Sequence, residues 1–526
     1  MTNNDAHINN SQKTPSSDTI GWKTCPECGT TYDIAHTYCK NCHYFSLEWQ
    51  KPEDKDTAET SGKKWLKLLA LVVFLLILGY LVWDSRDYIP NPLVLLDKPV
   101  SSYQSQPGAG EWTNFGHDPA QSRYAAKGRA VVGKIVWSIN LGGYTASAPG
   151  IKGKTLYLGG HFKVQAINTE TGDIIWEKPT TGPVKSSPAI AGQLVYFTLL
   201  DGRVLALDRL TGKNVWEFTT GSHIFGSPTV ADGILYIGSG DSKIYALDAA
   251  TGRKIWTYTT KGPIPFSPAV KDGIIYVASK DKTIYSLNAG SGTFRLRFRN
   301  YWSFIKSPVI GNELVYFTSV RGHLDAFKYG AWEFPGQYRM RQIWGQFWLW
   351  GFAVPFPPQQ PGAAWRISPQ NKGDQFVSSP AIAPDSFYLG DTSGRFYGRD
   401  AGSGKSEWTF KADKAVSSPP LVLGNMVIFG SGDGSLFALN RHTGELHWKL
   451  ALAAPITAWS GNFSLGVLGA VSGDLPDPVS KEYANFGPGP SLQIPLRYSL
   501  SEMISIRQTT RFDLALGHDR VSWLEK

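Results

Sequence analysis

Cysteine is nearly absent from this 526-residue chain: four copies, all between positions 25 and 42. A disulfide framework for the bulk of the chain is therefore excluded. Methionine is equally scarce at 4. Basic residues outnumber acidic ones, 52 to 43, yet Lys and Arg stand singly rather than in runs. No nucleic-acid partner is expected from such scattered charge. No P-loop, dinucleotide fingerprint or Ser-His-Asp context occurs, and His117, His161, His223, His323, His442 and His447 lack metal-binding spacing. These histidines read as turn or surface residues. What the chain does have is aromatic and apolar mass: 13% Phe, Trp and Tyr, 19 of them Trp, within 42% hydrophobic content. That composition buries a core and favours strands.

One apolar run is long enough to matter. From Trp65 to Trp83 the sequence holds 19 residues with a single charge, Lys67. A helix rising about 1.5 Å per residue would span a hydrocarbon core of about 30 Å. Trp65, Tyr80 and Trp83 sit near its ends as interfacial anchors. Sixty-four residues precede it and no small-residue cleavage pattern follows, so a signal peptide is not expected. Lys63, Lys64 and Lys67 crowd the start, whereas Asp84, Arg86 and Asp87 sum to negative at the end. The positive-inside rule then predicts a single-pass protein of the cytoplasmic membrane, its N-terminus cytoplasmic and the remainder periplasmic or extracellular.

Cys25, Cys28, Cys39 and Cys42 form C-x2-C-x10-C-x2-C. Two such knuckles supply the four thiolates of a closed tetrahedral zinc site, and a reducing cytosol favours metal over disulfides. The segment resembles the short zinc-ribbon modules that begin many bacterial membrane proteins. Structural Zn²⁺ is the cofactor this implies, with no open position for catalysis.

Past residue 111 the chain repeats. A Ser-Pro or Ala-Pro step recurs with its proline at 149, 188, 228, 268, 308, 380 and 419, spaced by about 40 residues except for one gap of 72. Within each copy, three short apolar runs are broken by turns such as Asp201-Gly202 and Thr211-Gly212, and a fourth run carries a tryptophan, as Trp216 does here. Four antiparallel strands per copy make a propeller blade. The pattern A-x-D-x-x-T-G-x-x-x-W after S-P-x-x-x-x-G resembles the pyrroloquinoline-quinone (PQQ) type propeller repeat, and the segment Glu111–Pro119 resembles that family's opening. The resemblance implies an all-β fold. Fourth strands marked at 137, 176, 216, 256, 296 (Leu in place of Trp), 365, 408 and 448 predict eight blades, with Trp137 completing a blade begun after Pro455; seven is the alternative.

The family includes quinoprotein alcohol dehydrogenases and the propeller lipoprotein of outer-membrane assembly. For the dehydrogenases the resemblance implies PQQ stacked between a tryptophan and an adjacent-cysteine disulfide, with Ca²⁺ held by Glu, Asn and Asp. Residues 112–526 contain no cysteine. PQQ is therefore not expected, though sugar-oxidising relatives manage without that disulfide. The recurring Asp201, Asp241, Asp281, Asp391 and Asp433 read as hairpin-turn residues rather than calcium ligands.

Residues 330–363 break the repeat with nine aromatics in 34 positions. Trp332, Tyr338, Arg339, Arg341, Trp344, Phe347, Trp348 and Trp350 are the candidate partner-binding residues; a hairpin folded onto the blade edges is the bland alternative. The expected organisation is a disordered 1–20, a zinc ribbon at 21–48, a polar linker at 49–64, the membrane helix at 65–83, and a linker at 84–111 long enough to act as an extended tether. A propeller at 112–490 and a C-terminal β extension at 491–526 follow. The expected function is a non-catalytic scaffold that binds other envelope proteins. The alternatives are a PQQ-dependent dehydrogenase and a ligand sensor coupled to the zinc module.

Overall fold

The computed structural model describes residues 22–24, 28–33, 64–89, 111–126, 147–160, 162–300, 302–304, 306–451, 514–517 and 520–523, with isolated positions between 92 and 108. Seven consecutive antiparallel sheets dominate, beginning at Gly150, Ala189, Thr229, Ala269, Val309, Ala381 and Leu421 and ending at Pro179, Thr219, Thr259, Arg299, Ile367, Lys411 and Ala451. In each, four strands pair in chain order; the seventh gains a fifth strand, Tyr124–Ala125, parallel to Leu421–Leu423. This is an all-β propeller of the expected type. The two strands on which an eighth blade rests, near Trp137 and after Pro455, lie outside the described residues.

The repeat residues lock each blade to the next. The indole Nε1 atoms of Trp176, Trp216, Trp365 and Trp408 donate to the carbonyls of Arg209, Ala249, Gly402 and Arg441 at 3.1, 3.0, 2.8 and 2.9 Å. Each acceptor lies in the following blade's turn between third and fourth strands. Tyr157, Tyr196 and Tyr388 send their hydroxyls to the same carbonyls as their blade's tryptophan. The Ser-Pro step has a matching role. The amides of Ala148, Ser187, Ser227 and Ser267 donate to the hydroxyls of Ser187, Ser227, Ser267 and Ser307, a belt running from blade to blade. In the seventh blade the Ser418 hydroxyl bonds Gly430 as Ser147 bonds Gly159, so Pro420, not Pro419, occupies the repeat's proline position.

The opening segment lines the axis. Trp112 pairs with Ile151 in the first blade. The amides of Ile190, Val270, Ile310, Ile382 and Val422 donate to the carbonyls of Thr113, Pro119, Ala120, Ser122 and Arg123, and that of Val230 to Asn114 Oδ1. One aperiodic ribbon thus satisfies an inner-strand amide of every described blade, in chain order. To curve so tightly it places His117, Gln121 and Arg123 at φ of 83°, 61° and 55°. Such left-handed geometry costs on the order of 1 kcal/mol per residue, which the hydrogen bonds offset.

Among the described residues, two helices of more than ten residues stand apart. Helix α1, Lys64–Asp84, covers the apolar run and continues as a 3₁₀ turn, Ser85–Tyr88. Its residues 71–79 are exposed. Counting only described residues, no helix is long and apolar enough to cross a membrane; the side chains of 64–68, 70 and 81–84 lie outside that set. Helix α2, Gln337–Leu349, lies within the insertion. At the C-terminus, strands Leu514–Gly517 and Arg520–Trp523 form a hairpin. The hairpin falls within the expected β extension, whose earlier residues, 491–513, are outside the described set.

Candidate functional site

The insertion leaves the fifth blade after its third strand, Leu324–Lys328, and returns at its fourth, Ala363–Ile367. It departs where the repeat itself departs. Leu296 stands at the tryptophan position of the preceding blade, and the turn glycine facing it, Gly330, has nothing within 4 Å of where a Cβ would sit. Here Tyr276 accepts at its hydroxyl from the Gly330 amide at 2.9 Å instead. The insertion is a helix with a proline-rich return, not a hairpin. Apolar residues at 340, 343, 344 and 347 follow the helical period, which outweighs the β preference of the aromatics.

Its base is clamped. The Glu333 carboxylate, buried, accepts from Arg297 Nε at 2.7 Å and from the Tyr88 hydroxyl at 3.0 Å. Burial pushes the Glu333 carboxyl up despite the guanidinium beside it. Tyr88 also meets Phe294 edge-on, with ring centroids 4.9 Å apart. Tyr338 turns toward the propeller, accepting at its hydroxyl from Arg299 Nη1 at 2.8 Å and lying under Arg297. Gln360 closes the return on the Arg299 backbone.

The other candidate residues face outward. Trp332 and Trp350 are each 64% and 68% exposed, and Trp344, Phe347 and Trp348 are about 40% exposed. They pack on one another and on the return: Trp344 Nε1 donates to the Pro355 carbonyl at 2.6 Å, Trp348 meets Phe356, and Phe347 meets Phe352. Arg341 Nε donates to the Pro358 carbonyl at 2.9 Å, and Arg339 lies 5.1 Å over the ring of Tyr80 in α1.

The segment between α1 and the propeller is not an extended tether at its described positions. Tyr88 and Val94 pack against the third and fourth blades, and Tyr103 against the second and third, its carbonyl accepting from the Gly233 amide. Apolar side chains spaced along it find the blade surface, a gain that a count of its length does not reveal. Sequence reading singled out Tyr80 only as an interfacial anchor and missed Tyr88, Arg297 and Glu333. One signal was present: Glu333 is the last acid before Asp374.

The axis holds buried cations. Arg123 is 4% exposed; burial pulls its guanidinium down to about 10, and Nη1 donates to the Gln121 carbonyl at 3.0 Å. Lys306 is drawn down to about 8 by burial and by Arg123. The nearby Asp118 already accepts from the amide and hydroxyl of Ser122. The turn aspartates are likewise engaged: Asp241, Asp281 and Asp391 accept from Tyr245, Tyr285 and Tyr397, and Asp201 from Arg203. Among the described residues no three His, Cys, Asp or Glu side chains gather as metal ligands. Of the four cysteines only Cys28 is described, exposed beside Thr30 in the turn between strands Trp22–Thr24 and Thr31–Asp33; Cys25, Cys39 and Cys42 lie outside the described residues.

Blade repeat, tryptophan lock and serine belt define a PQQ-type β-propeller. More particularly, the chain belongs to the family described as outer membrane protein assembly factor BamB, which matches residues 129–224, 200–295 and 356–472, just over half of the sequence. Its fold is similar to that of a europium-containing methanol dehydrogenase (16% identity, TM-score 0.51, covering 66% of this chain and 86% of that one). It is also similar to quinohemoprotein alcohol dehydrogenase from Comamonas testosteroni (15%, 0.50, 72% and 77%). BamB from Moraxella catarrhalis is 20% identical over 60% of this chain and 89% of its own, with a TM-score of 0.46. No curated protein sequence matches significantly. A fold shared with dehydrogenases does not by itself choose a function.

Proposed function

We propose that the protein is a membrane-anchored, non-catalytic scaffold for other envelope proteins, its propeller outside the cytoplasmic membrane. Helix α1 crosses the bilayer, and the four cysteines hold structural zinc on the cytoplasmic side. The observation that carries this reading is the clamped insertion. Its aromatic side chains are exposed together on a rigid base beside α1, a contact surface that fixes the propeller against a partner or the membrane, rather than a lid folded over the axis. The family description, which names outer-membrane assembly, agrees with that role.

The dehydrogenase reading needs ligands for Ca²⁺ and a base at the axis. Arg123 and Lys306 are buried cations there, Asp118 is engaged by Ser122, and Asn114 Oδ1 accepts from the Val230 amide. This donor set does not suit the metal. Photo-cross-linking of the full chain in native membranes should recover envelope proteins from the propeller. Addition of PQQ and Ca²⁺ should give no dye reduction with alcohols or sugars; turnover would overturn the scaffold reading.

A further inference from the structure

We propose that α2 is an interfacial helix, embedded at headgroup depth in the bilayer that α1 crosses. The propeller is then held against the membrane at a fixed tilt. This rests on the reading that α1 spans the membrane, and it commits the aromatic face to lipid.

The helical wheel separates two faces. Tyr338 and Gln342 lie on one, where Gln342 Nε2 donates to the Tyr338 hydroxyl and Tyr338 faces the Arg297–Arg299 strand. Met340, Ile343, Trp344 and Phe347 lie on the opposite side, at i, i+3, i+4 and i+7, exposed by 53, 56, 40 and 41%. Arg339 and Arg341 flank this stripe, and no acidic residue occurs from 334 to 373. An apolar face rich in Trp, flanked by arginines and lacking acids, is what lies stably in a headgroup layer with anionic lipid.

The depth is set by α1. Tyr80 stands four residues before Asp84, the helix's polar end, or about 6 Å along the axis at 1.5 Å per residue. That places its ring at the interface. The Arg339 guanidinium covers this same ring at 5.1 Å, so α2 begins at the depth where α1 leaves the hydrocarbon. The chain between them does not swing freely, because Tyr88, four residues past Asp84, is held by Glu333, four residues before α2. The membrane exit and the insertion are therefore one fixed corner. A protein partner would need to reach this face past the lipid surface that α1 itself brings to it.

The test uses the full chain, with its four cysteines replaced by serine, in nanodiscs of phosphatidylcholine and phosphatidylglycerol. A nitroxide is attached in turn at Ile343→Cys, at Leu75→Cys within α1, and at Asp173→Cys in the exposed turn before the first blade's fourth strand. Collision rates with oxygen and with a water-soluble nickel chelate report depth. The expected result is that positions 343 and 75 favour oxygen, 343 less than 75, and that 173 favours nickel. If 75 favours oxygen while 343 relaxes like 173, the inference is wrong, the membrane reading stands, and a protein surface becomes the better occupant. If 75 also favours nickel, the membrane reading itself has failed. Triple replacement Trp344→Ser, Trp348→Ser, Trp350→Ser should move a label at 343 toward the aqueous rate by several-fold while 75 does not change.

Discussion

The indole of Trp256 donates to the carbonyl of Ala289, 33 residues ahead in the next blade, at 2.9 Å, and its ring fills the place where Gly292 would carry a Cβ. Trp256→Ala should therefore lower unfolding free energy by about 3–5 kcal/mol, through the cavity and the lost bond together. Gly292→Ala should also be severe, because the added carbon would sit 2.7 Å from the ring at a φ of 70°. Gly330→Ala shares the strained φ, 73°, but meets no ring, and should cost only about 1 kcal/mol. Urea midpoints at constant m check the order.

Glu333→Gln should destabilise by about 2–4 kcal/mol, since it leaves Arg297 half-buried without its carboxylate. Tyr88→Phe removes one hydrogen bond from the same group and should cost about 1 kcal/mol. Limited proteolysis within 334–362 should accelerate more in the first variant than in the second.

Lys306 holds its proton in the folded protein only up to about pH 8, whereas the unfolded chain keeps it to the usual lysine value near 10.5. Between those values the unfolded state binds more protons, so stability rises with pH; below pH 8 the full cost of burying the charge is present. Lys306→Met should thus stabilise the protein at pH 7 by on the order of 1–3 kcal/mol, the lower end reflecting its partial solvent contact. The gain should fade as pH approaches 10. Thermal unfolding of both forms across that range measures it.

One zinc per chain is expected from the four cysteines. Metal analysis of the full-length protein should give a stoichiometry near one, and Cys39→Ser with Cys42→Ser should abolish it without moving the propeller's unfolding transition.

Much of this architecture can be read from residue spacing. The Ser-Pro step, the Thr-Gly turn and the tryptophan recur at fixed intervals because each makes the same contact with the neighbouring blade, and a repeated contact leaves a repeated residue. Leu296 marks, equally legibly, where that contact changes. The axial ribbon is opaque to such reading. Trp112 to Arg123 meets a different blade with nearly every bond, and an aperiodic job leaves no period. The Tyr88–Glu333 clamp joins residues 245 positions apart, which no local pattern encodes. Helix α2 was half legible: its stripe at 340, 343, 344 and 347 is helical, but it starts at Gly336 without a side-chain cap, and its aromatic density mimics a strand.

A ring of like blades has, by symmetry, no beginning. The ribbon from Trp112 to Arg123 gives this one an origin and a direction, since its acceptors meet Ile151, Ile190, Val230, Val270, Ile310, Ile382 and Val422 in the order the chain is made. Blades that look interchangeable are thereby numbered. A circular permutation opening the chain between Arg123 and Gly150 would keep every blade yet detach the thread that counts them, and a domain trimmed to begin at Gly150 would leave inner amides facing the axis with no acceptor.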